Sequence, residues 1–315
     1  MVHSRRPQLD LALAAAAEST LTARFVVTHP WRRVASFVAL AAMLMTVMVF
    51  SVGVAISGIP GMRDQVGDLG PLPDSPLRLI NESFQVALFA LILGALAFGI
   101  LAAAAMTYRR PLTDFLWPGR RFDVQHLGTG FLTMVCISVT SVPIYLAMGS
   151  EWAPPILDAQ YLDRTRLTYV LVMVGGLLVA AAAEEVVCRG VLLRLTGLIT
   201  RHPLVLCLIN GLIFSAIHLD PDPVAFVARA VSGAVWTWAA LRLGGLEFAI
   251  GAHLANNLVI ALFWQPFSEA GTSRDAAWTE LAPEVLSAVV MVVMIERLAN
   301  RYVKGPPRLP ARAAA

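Results

Sequence analysis

The chain has 315 residues, of which 57% are hydrophobic and only 14% charged. A soluble protein of this length needs far more charge to cover its surface, and several apolar runs reach the roughly 20 residues that a helix needs to cross a bilayer. The net charge of +3 is too small to indicate nucleic-acid binding, so the basic residues are read as a record of topology.

Residues 1–33 carry Arg5, Arg6, Arg24, Arg32 and Arg33 and are expected to be a cytoplasmic N-terminal segment. The apolar run that follows is too long for the core of a signal peptide and lacks a cleavage site. Eight membrane spans are predicted, at about 34–58, 85–107, 127–148, 167–198, 203–219, 223–243, 246–264 and 281–296. The expected fold is therefore an all-α polytopic membrane bundle, multi-pass in the cell membrane. N-terminal spans occupy 34–164, a polar-bearing core 165–265, an outer loop and the last span 266–304, and a disordered tail 305–315. The segments 64–76 and 265–278 are turn-rich connectors. With the N-terminus in the cytoplasm, alternation leaves roughly 17 Lys and Arg inside against 5 outside. Both termini are then cytoplasmic. Arg229, near the outer end of the sixth span, reads as a snorkelling side chain. Cys136, Cys188 and Cys207 lie in apolar segments at no metal-like spacing, and are expected to be small core hydrophobes.

Three polar constellations interrupt the apolar core. In "EEVVCR", Glu185 and Arg189 are four apart on a helix and within reach of an ion pair, while Glu184 is rotated about 100° away and is left free. In "NGLIFSAIH", Asn210, Phe214 and His218 recur every four residues. In "HLANN", His253 and Asn257 share a face. At about 1.5 Å per residue, Glu184, His218, His253 and Asn257 fall at overlapping depths near the middle of the bilayer. Taken singly, each histidine is more readily a core residue and each asparagine a helix bridge. Intramembrane ionisable groups at one depth on three helices point to a site.

The set suits peptide hydrolysis by an activated water. A carboxylate withdrawn from solvent is a competent general base near neutral pH, and a histidine beside it holds the water and shares the proton. A second histidine and an amide can donate to the oxyanion. There is no HExxH, spans carry no paired aspartates, and Ser232 in "AVSG" is more readily explained by helix packing. One glutamate and two histidines could bind zinc, but no second shell is evident from the sequence, so no cofactor and no metal are expected.

"EEVVCR", "FSAIH" and "HLANN" resemble, in order, the EExxxR, FxxxH and HxxxN/B motifs of the CPBP family of CAAX-protease and bacteriocin-processing membrane proteins, also called the ABI family. Type II CAAX prenyl endopeptidases belong to it. The resemblance covers about residues 165–265. It implies a CAAX-protease-like core and an endopeptidase acting on a membrane-associated protein or peptide. Glu184 then activates water with His218, and His253 and Asn257 form the oxyanion side. Glu185, Arg189 and Phe214 support the site. Cys188 stands where many relatives carry an aromatic residue. Other readings are a proton-coupled transporter, a b-haem protein with His218 and His253 as ligands, and a non-enzymatic scaffold or immunity protein. The bilayer is an expected partner and nucleic acid is not.

Overall fold

The computed structural model describes residues 6–22, 29–60, 77–148, 154–264 and 277–303. The connector at 64–76, nearly all of that at 265–278 and the tail at 305–315 lie outside the described residues. Those described form nine helices and no strand: α1 (Arg6–Ala17), α2 (Pro30–Ser57), α3 (Arg78–Tyr108), α4 (Val124–Ala147), α5 (Asp163–Glu185), α6 (Pro203–Ala216), α7 (Pro223–Leu243), α8 (Glu247–Phe263) and α9 (Leu281–Val303). Every predicted span is helical. Helix α1, not foreseen in the N-terminal segment, packs on α6 and α7. By length and composition α2, α3, α4, α5 with its continuation, and α7 can each cross a membrane, whereas α6 and α8 are apolar but shorter.

Helix boundaries follow local chemistry. Helix α7 begins at Pro223, where a missing N–H costs nothing, and the Asp222 carboxylate accepts from the N–H groups of Val224 and Ala225 at 2.7 and 3.0 Å. It ends at Gly244 in the left-handed conformation, φ 68°. Helix α5 does not stop at Glu185 but runs on through a π-helical stretch, Val186–Leu192, into a last turn, Leu193–Thr196. Such local widening is frequent at functional sites. Here it holds Arg189.

Lipid offers no hydrophobic drive to bring helices together, so close backbone approach takes over. Helix α8 packs along α4 and against α5. A methyl group at Gly130 of α4 would run into the Phe248 carbonyl, and one at Gly251 of α8 into the Leu127 carbonyl. Helices α6 and α7 meet in the same way, with Gly211 against Ala230 and Gly233 against Phe214. Helix α3 flanks α5, α2 covers α3, and α9 closes against α7 and α4.

One end of the bundle is held by arginines. Arg33 donates to the Thr107 carbonyl at 3.1 Å, and Arg194 to the Asp114 carbonyl. Arg120 grips Glu247 with both nitrogens at 2.8 and 2.6 Å, and Arg242 does the same to Glu296 at 2.7 and 2.8 Å. Cys188 and Cys207 are buried as expected, but Cys136 is exposed. It lies on a face of α4 that looks into the groove beside α9, because an all-apolar helix gives no sequence signal for which face meets lipid.

Candidate active site

Helix α5 contributes adjacent carboxylates with opposite surroundings. Glu185 is fully buried and accepts from Arg189 at 2.9 Å. The Arg189 guanidinium, itself fully buried, also donates to the Gly233 carbonyl at 2.9 Å and lies 4.5 Å from the centre of the Phe214 ring. Glu184 turns the other way, into a cavity of about 590 Å³ whose wall it shares with His218, His253, Asn256 and Asn257.

The two imidazoles converge on one oxygen. His218 Nε2 and His253 Nε2 each stand 3.7 Å from Glu184 Oε2. Each ring's other nitrogen is fixed from behind. His218 Nδ1 is 2.7 Å from the Phe214 carbonyl, and His253 Nδ1 is 3.0 Å from Glu185 Oε1. A carbonyl and a carboxylate can only accept, so Nδ1 carries the proton in both rings and Nε2 is the face turned to Glu184. These are second-shell partners of the kind that sequence inspection failed to find, and that part of the argument against a metal is corrected. They were invisible because one is a backbone carbonyl and the other a residue already assigned to Arg189. Among the described residues no group of three or more His, Cys, Asp or Glu side chains stands at metal-ligand spacing.

Aromatic packing sets the ring angles. The indole of Trp236 stacks on His253 with centroids 4.5 Å apart and 25° between planes. Phe214 meets His218, Trp236 and His253 edge-on at 4.9, 5.5 and 5.8 Å. Both imidazoles thus turn Nε2 toward one carboxylate oxygen.

Asn257 lines the same cavity, and Asn256 Nδ2 donates to its Oδ1 at 3.2 Å. That bond turns the Asn257 amide nitrogen into the donor still available. Phe214 lies in the site, but Asn210 of the same motif does not. It donates to Thr196 Oγ1 and to the Leu206 carbonyl, tying α6 to the end of the α5 continuation. Arg229 is not a snorkelling side chain, as the sequence suggested. It pairs with Asp220 at 2.7 Å and forms part of the cavity wall. The residues that sequence reasoning missed are Trp236, Asn256, Asp220 and Arg229. A local signal existed for one: Asn256 sits inside "HLANN".

Fold and site together define a multi-pass helical membrane protein with one acid and two imidazoles gathered inside its bundle. Residues 166–259 match the family model described as type II CAAX prenyl endopeptidase Rce1-like. This bears out the resemblance carried by the three motifs, all of which fall inside the matched stretch. The chain is also similar to the uncharacterized protein YyaK of Bacillus subtilis (strain 168), with 26% identity over 199 residues. That similarity covers 60% of this chain and 62% of YyaK, so the chain spans less than two thirds of that relative. No solved structure matches.

Proposed function

We propose that the protein is an intramembrane endopeptidase that cleaves a membrane-associated protein or peptide with a water activated by Glu184 and His218. The observation that carries this reading is the convergence on Glu184 Oε2 of two imidazoles, each held from behind through Nδ1. Separations of 3.7 Å are too long for direct hydrogen bonds and suit a water that bonds both sides.

That water donates to Glu184 Oε2 and His218 Nε2, and its oxygen attacks the scissile carbonyl carbon. Its proton passes to Glu184 as the tetrahedral oxyanion forms. Asn257 and His253 Nε2 donate to the oxyanion, a contribution of about 3 kcal/mol per donor. To donate from Nε2 while Nδ1 stays on Glu185, His253 carries protons on both nitrogens, which puts a cation between Glu184 and Glu185. Glu184 then returns its proton to the leaving amine as the C–N bond breaks.

Residues 165–265 are read as the catalytic core of a cell-membrane protein with both termini in the cytoplasm, following the arginine bias. The cycle needs no cofactor. The test replaces Glu184 by Gln in cells that otherwise lack the protein and maps protein termini in the membrane fraction. Wild type should produce termini that Glu184→Gln loses at equal accumulation, with a fall in rate of about 10²-fold or more. Identical termini with both would overturn the protease reading.

A further inference from the structure

Helix α9 leans chiefly on α7 and leaves a long groove between itself and α4. Two hollows of about 510 and 620 Å³ make up the groove and share Ile144, Pro283 and Leu286 as wall. Neither has a residue in common with the cavity around Glu184. Along α4 the groove runs from Thr129 to Met148. At 1.5 Å per residue that stretch is about 28 Å long, close to the roughly 30 Å apolar layer of a bilayer.

The wall suits a flexible apolar chain better than a further helix. Packed membrane helices depend on close backbone approach and on hydrogen bonds between helices. Here the hydroxyls are already spent on their own helices. Thr129 donates to the Gln125 carbonyl at 2.7 Å, Thr140 and Ser141 to the Ile137 carbonyl at 2.8 and 3.0 Å, and Ser287 to the Pro283 carbonyl at 2.7 Å. Among the described residues no glycine lines the groove.

The two ends of the groove differ in charge. On α9 its face is formed by Pro283, Leu286, Val290 and Met294, and the same helical spacing carries on to Arg297 and Arg301. Both arginines stand outside the protein core, and among the described residues neither enters an ion pair. Their neighbour Glu296 is taken by Arg242 and Trp238 on α7. Asp123, the acid just before α4, is turned onto the N–H groups of Gln125 and His126. Arg297 lies about 4.5 Å further along the axis than Met294, where acyl chains give way to headgroups. The opposite end carries Glu280 instead.

We infer that this groove holds an anionic phospholipid, with its phosphate on Arg297 and Arg301 and its acyl chains laid between α4 and α9. Cationic niches between membrane helices take such headgroups, and the acid at the far end sets the direction in which the lipid lies. The site is separate from the proposed protease centre and does not depend on it.

Lipid retention by the purified full chain tests this. The protein in mild detergent is offered equal amounts of phosphatidylglycerol and phosphatidylcholine, and bound lipid is counted by native mass spectrometry. Phosphatidylglycerol should be preferred, and its affinity should fall about thirty-fold in the double variant Arg297→Gln, Arg301→Gln. Changing both arginines to lysine should keep the preference, since a phosphate accepts from an ammonium as well. Cys136→Trp fills the groove without touching its charge and should also expel the lipid. Cys136 itself is exposed while Cys188 and Cys207 are buried, so bound phosphatidylglycerol should slow its reaction with N-ethylmaleimide. Equal retention of the two lipids, or a preference that survives loss of both arginines, overturns the proposal. So does an oxidative Cys136–Cys136 crosslink in vesicles of the same lipids, which would place a second copy over the groove. Should the glutamine variant fail to accumulate, Cys136→Trp still decides, because undiminished phosphatidylglycerol on that variant overturns the proposal. Glu184→Gln should retain the lipid as wild type does, so the outcome stands whatever becomes of the protease reading.

Discussion

Glu184 and Glu185 are chemically identical neighbours made different by what surrounds them. Glu185 is enclosed, holds Arg189 and orients His253, so one carboxylate oxygen serves a structural cation and a site imidazole together. Removing its charge leaves Arg189 buried without its counter-ion. Breaking a buried pair in this way costs about 3–5 kcal/mol. Glu185→Gln should therefore lower thermal stability in detergent markedly, whereas Glu184→Gln, at the cavity wall, should leave the melting temperature close to wild type while abolishing cleavage. Equal losses of stability would show that the two carboxylates are not divided in this way. Chelation is a second check at this scale. The proposed cycle routes every proton through Glu184 and the imidazoles, so dialysis against EDTA followed by assay with a cleavable substrate should leave the rate unchanged. A loss restored by zinc would reinstate the metal reading.

At the scale of elements, the site depends on helices drawn close by glycine. Gly251 lets α8 lie against the Leu127 carbonyl of α4 two residues before His253. Gly251→Ala must push α8 away, at a cost of about 1–3 kcal/mol for overpacking. It should lower both stability and cleavage, measured by thermal unfolding and by terminal mapping. Gly175 on α5 has nothing within 4 Å of an added methyl. Gly175→Ala should not lower stability, since alanine is the better helix former. The eight apolar helices α2 to α9 were legible in the sequence because each is a largely apolar run set off by polar or turn-forming residues, and five of them are long enough to cross a membrane. Helix α1 was not, because its 12 residues are too short to read as a span and its partners on α6 and α7 are far along the chain. The π-helical stretch was equally hidden, since "VVCRGVL" carries no proline or other break that marks it.

Over the whole molecule, the arginine clamps at one end fix how the helices seat against one another. Arg120 lies in the loop before α4 and binds Glu247 at the start of α8, the helix that carries His253 and Asn257. Arg120→Met leaves a buried carboxylate unpaired. It should reduce accumulation and unfolding temperature, and restoration by the further change Glu247→Met would identify the stranded charge as the cause. The sequence by itself determined the all-α membrane class, the eight apolar helices and the polar motifs that meet in the cavity. Apolar length is a local property, and a costly polar group at membrane depth stands out wherever it occurs. It also separated Glu184 from Glu185, because the pairing with Arg189 lies within one turn of one helix. Only the tertiary structure decided that His253 leans on Glu185 across 68 positions of chain, that Trp236 stacks on it, and that Arg229 joins Asp220 in the cavity wall. Those depend on the register and rotation of helices against each other, and helices that are apolar on every face leave no pattern from which register can be read.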